Sequence, residues 1–408
     1  MRLLVVTQYF WPENFRINDL VHEMANRGHS VTVLTGYPNY PDGQVFSDFK
    51  SAPGRFSSYM GAEIVRVPLV PRGKRALSLL FNYISFMLLG TMLGAWKLRG
   101  KKFDKIFVFE PSPITVGIPA IFLRWIKKAP LAFWVLDLWP ESLRAVGVVK
   151  SERLLNAVGY LVSFIYRRCD AILVQSRSFV KNVTRYCSNV EKIHYFPSWA
   201  EDGFEGASIS SGSELNPFFS SFKLVFAGNI GEAQDFPAIL EAATILKDRP
   251  EIQWILIGDG RARVWVSDQV AQRGLSKSVH LLGRFDLERM PAFFADADAL
   301  LVTLKRSDVF SMTIPGKVQS YLAAGRPILG MLDGEGAEVI LEAKAGFVCQ
   351  SGNARGLADN VLRMASTSVV QRDEMGAAGR RHYLKNFERT ALMNELEQLL
   401  FNLRLEGR

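Results

Sequence analysis

With 408 residues, 48% hydrophobic and 22% charged, the chain is too long for a single core and too apolar to be disordered, so two globular domains are expected. Its three cysteines (Cys169, Cys187, Cys349) form no CxxC pair and its five histidines show no metal-ligand spacing, which excludes a disulfide scaffold, favours a reducing compartment and leaves no metal site expected. A formal net charge of +9 admits a nucleic acid, a membrane surface or an anionic substrate as partner, and the position of the charge decides among them.

The opening MRLLVVTQYF enters a strand directly, without the basic, apolar and small-residue regions of a signal peptide, so a cytoplasmic protein is expected. Strand patterns at 2–7, 30–35, 63–67, 105–110, 131–136, 171–176 and 192–196 are mostly apolar throughout, as suits parallel strands covered on both faces. Helical stretches lie between them, among them 18–27, closed by Gly28, and 113–127. This alternation predicts a doubly wound α/β domain.

Within it, Arg72, Lys74, Arg75, Lys97, Arg99, Lys101 and Lys102 bracket the apolar run ALSLLFNYISFMLLGTMLGAW, with no acidic residue from 72 to 102. The run is long enough to span a bilayer, but it carries Ser78, Asn82, Ser85 and Thr91 and falls where the sheet needs a crossover helix. A span would split the sheet. An interfacial helix on an anionic membrane is therefore expected, with Leu80, Phe81, Phe86, Met87 and Trp96 in the apolar layer and no nucleic acid as partner.

The segment 200–219, AEDGFEGASISSGSELNPFF, has no apolar periodicity and reads as a linker or a long surface excursion. From Lys223 the alternation resumes with KLVFAG, IQWILIG, VHLLG, ALLVTL, PILGM and GFVCQ, and a helix over 388–405 ends the chain. Three Gly-rich turns follow strands here. AGNIGEAQDF carries Gly228, Asn229 and Gly231; GDGRAR carries Gly258, Gly260, Arg261 and Arg263; MTIPGKVQS carries Pro315, Gly316 and Lys317. Pro315 fits a first helical turn, Gly316 admits a close ligand, and Lys317 adds charge to the positive end of the helix dipole. A phosphate group is the expected ligand.

In the first domain, VLDLWPES places Asp137 and Glu141 just after a strand. Two readings stay open: carboxylates that touch the acceptor or move a proton, or a cap and first turn of the following helix. Glu13, Asn14 and Arg16 in FWPENFRIND share that ambiguity. The DAD at 296–298 lies between a helix and a strand and is read as structural; GDGRAR lacks the third glycine of a dinucleotide fingerprint.

Taken together, FWPENFRINDLVHEMANRGHSVTVLTGYPNYP, WVLDLWPESL and the ordered C-terminal motifs AGNIGEAQDF, IGDG, GRF, IPGKVQSYLAAGRPILG and GEGAEVI resemble glycosyltransferase family 4 of the GT-B fold, over nearly the whole chain. The likeness is to bacterial enzymes that add N-acetylated amino sugars in O-antigen or capsule synthesis. It implies two Rossmann-like domains facing across a cleft: residues 1–199 for the acceptor, 200–219 as linker, 220–385 for the donor, and 386–408 returning to the first domain. It also implies retaining, metal-independent transfer from a UDP-sugar, without a cofactor, to a polyprenyl-diphosphate-linked acceptor at the inner face of the plasma membrane. The donor residues so implied are Gly228, Asn229, Ile230, Arg261, Arg263, Arg284, Pro315, Gly316, Lys317, Gln319, Glu335 and Glu338; Asp137 and Glu141 are the catalytic candidates. The chain departs from the family where a pair of glutamates holds donor sugar and ribose, since Ser311 and Gln319 occupy those places. A basic pair usual after the first C-terminal strand falls on Asn229 and Gln234. Two rivals are a UDP-sugar 2-epimerase of the same fold and a non-catalytic sugar-nucleotide-binding subunit.

Overall fold

The computed structural model describes residues 1–405 except 74, 146–148, 150, 202, 205–213 and 219. Lys74 of the basic set, and much of the segment 200–219, lie outside the described residues. The chain divides into two compact units, Met1–Pro197 with Thr390–Arg408, and Ser198–Arg389.

The first unit holds β1 (Arg2–Val6), β2 (Ser30–Gly36), β3 (Ser58–Tyr59), β4 (Ala62–Val67), β5 (Lys105–Glu110), β6 (Leu131–Val135), β7 (Ala171–Val174) and β8 (Ile193–Tyr195), in the order 3-4-2-1-5-6-7-8. All neighbours pair in parallel except β3 with β4. The central strands β5, β6 and β7 are buried along their whole length, as continuous apolar runs require. The chain order reverses between β1 and β5, which makes their carboxyl ends the switch point where such sheets bind ligands.

The crossover from β4 to β5 is the helix Ala76–Lys97. It is apolar on every side, and contact decides which side is buried. Asn82, Phe86, Gly90 and Gly94 form a buried row at four-residue spacing. A Cβ on Gly94 would stand 2.8 Å from Leu34 Cδ2, so the missing side chain lets the helix lie close on β2. Leu77, Leu80, Phe81, Leu88, Met92 and Trp96 stay exposed on the outer side. The helix is long and apolar enough to cross a membrane by length, but its inner row is packed on the sheet, as a crossover helix. Phe86, expected in a lipid layer, is 0% exposed and belongs to the core; Met87 is half-buried.

The second unit repeats the plan with β9 (Phe222–Ala227), β10 (Ile252–Ile257), β11 (Val279–Gly283), β12 (Ala299–Thr303), β13 (Ile328–Met331) and β14 (Gly346–Cys349), ordered 11-10-9-12-13-14. Its switch point lies between β9 and β12. The segment read as a surface excursion feeds this core: Ala200, Phe204 and Leu215 are buried, and Phe204 stacks on Phe294 at 5.4 Å. Alternating periodicity could not show this, because the anchors are isolated apolar residues among Ser and Gly. The two carboxylates of DAD are held in ion pairs, Asp296 by Lys223 at 3.1 Å and Asp298 by Arg372 at 3.0 Å.

The final helix, Arg389–Asn402, buries Leu392, Met393, Leu396 and Leu400. Its Glu397 meets Arg27 at 3.1 Å and His29 Nε2 at 2.6 Å, and Lys105 donates to the Leu403 carbonyl, tying the chain end to the first unit.

Candidate functional site

At the carboxyl ends of β9, β10 and β11, three turns are bonded into one surface. Gly228 N–H donates to the Ile257 carbonyl, Ile230 N–H to Asp259, Ala262 N–H to Ile230 and Gly258 N–H to Gly283, at 2.8–3.0 Å. The glycines are required by this closeness. Gly258 has φ +139, and a Cβ there would stand 1.8 Å from the Gly228 carbonyl; on Gly260 it would meet the Ile230 carbonyl at 2.4 Å.

Lys317, on the first turn of the helix Gly316–Ala324, reaches into this surface. A Cβ on Gly228 would lie 2.8 Å from its Nζ, so Gly228 is the opening that admits the ammonium. Nζ stands 5.0 Å from the centre of the Phe226 ring and makes no ion pair with a described carboxylate. Burial lowers its pKa to about 8, against a weak pull upward from Glu201. Pro315 precedes the helix without a side-chain cap, and nothing lies within 4 Å of where a Cβ on Gly316 would be. An uncapped helix N-terminus, open space and a desolvated cation thus meet at the switch point of this sheet.

The other expected donor residues divide. Arg261, Arg263 and Arg284 are exposed, and an Arg263 terminal nitrogen lies 3.7 Å from where a Cβ on Gly283 would sit. Asn229 is exposed between the turns. Gln319 is 1% exposed and its Oε1 has no hydrogen-bond partner. Glu335 is buried and Glu338 exposed on the helix Glu335–Glu342, whose Gly336 would place a Cβ 2.9 Å from Pro315 Cδ. Ile230 is a correction: its side chain is 0% exposed in the core and both its backbone groups are bonded within the turns, so it supports the site without facing it.

In the first unit, Asp137 accepts from Trp139 Nε1 at 3.0 Å and from the Ser142 hydroxyl, and burial raises its pKa. Glu141 begins the short helix Glu141–Ala145 and accepts from Tyr186 at 3.0 Å, while its Oε2 has no partner. Glu110, at the end of β5, is a residue that sequence reasoning missed. It is 0% exposed, neither carboxyl oxygen has a bonded partner, and burial with Asp137 nearby raises its pKa well above the carboxylate range. The amides of Leu136 and Asp137 temper that rise without meeting hydrogen-bond geometry. One acid in an otherwise apolar strand, KIFVFE, was the available signal.

Glu13 has a structural duty. Its carboxylate accepts from the amides of Phe10 at 3.0 Å, Asn39 at 2.8 Å and Tyr40 at 2.7 Å, stapling two loops. Asn14 is exposed, and Arg16 sits 3.5 Å from Asp19 on its own helix. The basic set is also partly committed. Lys97 donates to the Arg66 carbonyl at 2.8 Å, Lys101 pairs with Glu63, and Arg99 stacks on Trp96 at 4.3 Å. Arg72 turns inward onto Tyr9, while Arg75, Lys97, Arg99 and Lys102 are exposed.

Two doubly wound sheets of this order, parallel but for the β3 edge, with glycine turns and a basic helix N-terminus at one switch point, define an α/β protein of the GT-B type. Residues 14–199 match the family model described as glycosyl transferase 4-like domain, residues 221–367 match glycosyl transferases group 1, and the chain belongs to this glycosyltransferase family. WcaI of Escherichia coli (strain K12), named for glycosyl transfer in colanic acid biosynthesis, is 25% identical over 346 residues, covering 80% of this chain and 82% of its own. The fold is shared with HepE of Anabaena, crystallised with UDP and glucose, at TM-score 0.70 and 14% identity over 99% of this chain and 100% of that one. WaaG, a glycosyltransferase of lipopolysaccharide biosynthesis, superposes with TM-score 0.67 and 14% identity over 98% of this chain and 100% of that one.

Proposed function

We propose that this glycosyltransferase moves a sugar from a UDP-sugar to a polyprenyl-diphosphate-linked acceptor in bacterial O-antigen, capsular or related polysaccharide synthesis. The observation that carries the reading is Lys317: a partly buried ammonium without an ion-pair partner among the described residues, admitted by Gly228 beside an uncapped helix N-terminus. Such a group holds the donor diphosphate and neutralises it as it leaves, with Arg261, Arg263 or Arg284 adding charge from the neighbouring turns. The bond that breaks joins the anomeric carbon to the diphosphate; the acceptor hydroxyl forms the new one. Asp137 and Glu141 are the candidates to receive that hydroxyl's proton. We read the transfer as retaining and metal-independent, and the donor as an N-acetylated amino sugar such as N-acetylfucosamine. Colanic acid and lipopolysaccharide in the names of WcaI and WaaG support the polysaccharide setting.

The outer row of the helix Ala76–Lys97 and the cations at its ends support docking on the anionic inner face of the plasma membrane. A mass-spectrometric screen of UDP-sugars against membrane extract tests the assignment. Sugar transfer to a lipid-linked product that persists in EDTA is the expected result. Conversion of a UDP-sugar without acceptor would instead support an epimerase, and UDP-sugar binding without turnover a non-catalytic subunit.

A further inference from the structure

We infer that the carboxyl end of β1 carries a second anion site, centred on Arg72, that takes the diphosphate of a polyprenyl-diphosphate acceptor. The inference rests on the lipid-linked acceptor proposed above. Arg72 belongs to the connection between β4 and the helix Ala76–Lys97, and it is held from three sides. Its amide donates to Asn39 Oδ1 at 2.8 Å, its guanidinium donates to the Tyr9 hydroxyl at 3.1 Å, and it lies 5.2 Å from the centre of the Tyr40 ring. It is half-buried and makes no ion pair with a described carboxylate. A guanidinium so fixed retains free N–H donors in a planar fork that fits phosphate.

A second observation points to the same ligand. Gln8 follows β1, is 1% exposed, and its Oε1 has no partner. Its orientation is set: Nε2 donates to Asn82 Oδ1 at 2.7 Å and to Tyr9 at 3.2 Å, while Asn82 in turn donates to the Val70 carbonyl at 2.6 Å. The amide oxygen is therefore an acceptor awaiting a hydroxyl, next to the tyrosine that steadies Arg72. A sugar diphosphate supplies both partners, a phosphate for Arg72 and a sugar hydroxyl for Gln8. A crossover helix between parallel strands runs against them, so the N-terminus of Ala76–Lys97 also lies at this end, uncapped and with its dipole positive. No acidic residue occurs between Glu63 and Asp104, and those two pair with Lys101 and Arg2. The exposed Leu77, Leu80 and Phe81 follow at once, an apolar track for the isoprenoid.

The experiment titrates the full-length protein with farnesyl diphosphate, inorganic pyrophosphate and vesicles of phosphatidylglycerol. Farnesyl diphosphate should bind the wild type, at least tenfold more weakly Arg72→Gln, and at least threefold more weakly Arg72→Lys, which keeps the charge but loses the fork. Pyrophosphate should follow the same order at lower affinity, and vesicle binding and UDP binding should be unchanged. If Arg72→Gln does not fold, the comparison of Arg72→Lys with wild type decides. Equal farnesyl diphosphate affinity in Arg72→Lys and wild type overturns the site. So does a parallel loss of vesicle binding, which would make Arg72 a general surface charge. Arg72-dependent binding without sugar turnover would leave the site standing and remove the proposed function instead.

Discussion

At the scale of single residues, burial is the handle on function. Lys317 keeps a cation where the fold alone gains nothing from one: its lowered pKa means the native state favours the neutral amine, a penalty present below pH 8 and relieved as pH rises toward 10.5. Lys317→Met should therefore hold or raise the melting temperature, by about 1 kcal/mol of stability after allowance for partial exposure. UDP affinity should fall by roughly 1.5 to 3 kcal/mol in calorimetry, the loss of a charge-assisted contact. A lysine that served packing would show the reverse pattern. In the wild type, UDP affinity should decline as pH rises through about 8, because the free protein then carries a neutral amine that must gain a proton on binding. Glu13 shares the burial penalty, which raises its pKa to about 7, but its contacts are structural. Its two oxygens accept three amide protons, so Glu13→Gln places an NH2 against at least one amide and should cost about 2 to 3 kcal/mol in chemical denaturation, with UDP affinity unaltered.

At the scale of the element, the helix Ala76–Lys97 shows why sequence reading reached its place and missed its sides. Position marked it as a crossover helix and flanking charge raised the expectation of a membrane beside it, but an apolar residue looks the same on either face. The row that packs is marked by its small members, Gly90 and Gly94, four apart; Phe86 lies on it and Leu88 does not. Two substitutions on one helix should then part company. Phe86→Ala should destabilise by about 3 to 5 kcal/mol in thermal or urea unfolding, as a cavity in a closed core does. Leu88→Asp should leave unfolding nearly unchanged, since Leu88 is 51% exposed, and should release the protein from anionic liposomes. Loss of stability in Leu88→Asp with no change in liposome binding would mean the outer row is covered by protein. The glycine turns after β9 and β10 were more legible, because glycines at positive φ and a lysine after Pro-Gly are fixed by local chemistry. Glu110 and Ile230 were not, since burial depends on neighbours brought together by the fold.

At the scale of the whole molecule, alternation of strand and helix was enough to expose two doubly wound units, because parallel strands covered on both faces must be apolar throughout. The boundary was harder. The chain passes between the units after Pro197 and again after Arg389, and the anchors near the first crossing are isolated residues such as Phe204. This topology makes a prediction that hydrogen exchange with mass spectrometry can localise. UDP at a hundredfold excess over its dissociation constant should add about 2.7 kcal/mol to the stability of the unit that binds it, slowing exchange in β9, β10 and the helix Gly316–Ala324. Truncation after Arg389 removes four buried apolar side chains together with the Glu397 contacts to Arg27 and His29, a loss on the order of 5 kcal/mol from the first unit. Exchange should then quicken in β1, β5 and the helix Arg16–Asn26, while UDP protection of the second unit persists. Protection by UDP confined to β1–β8, or its disappearance on truncation with the second unit still folded, would place the nucleotide in the first unit and undo the assignment of Lys317.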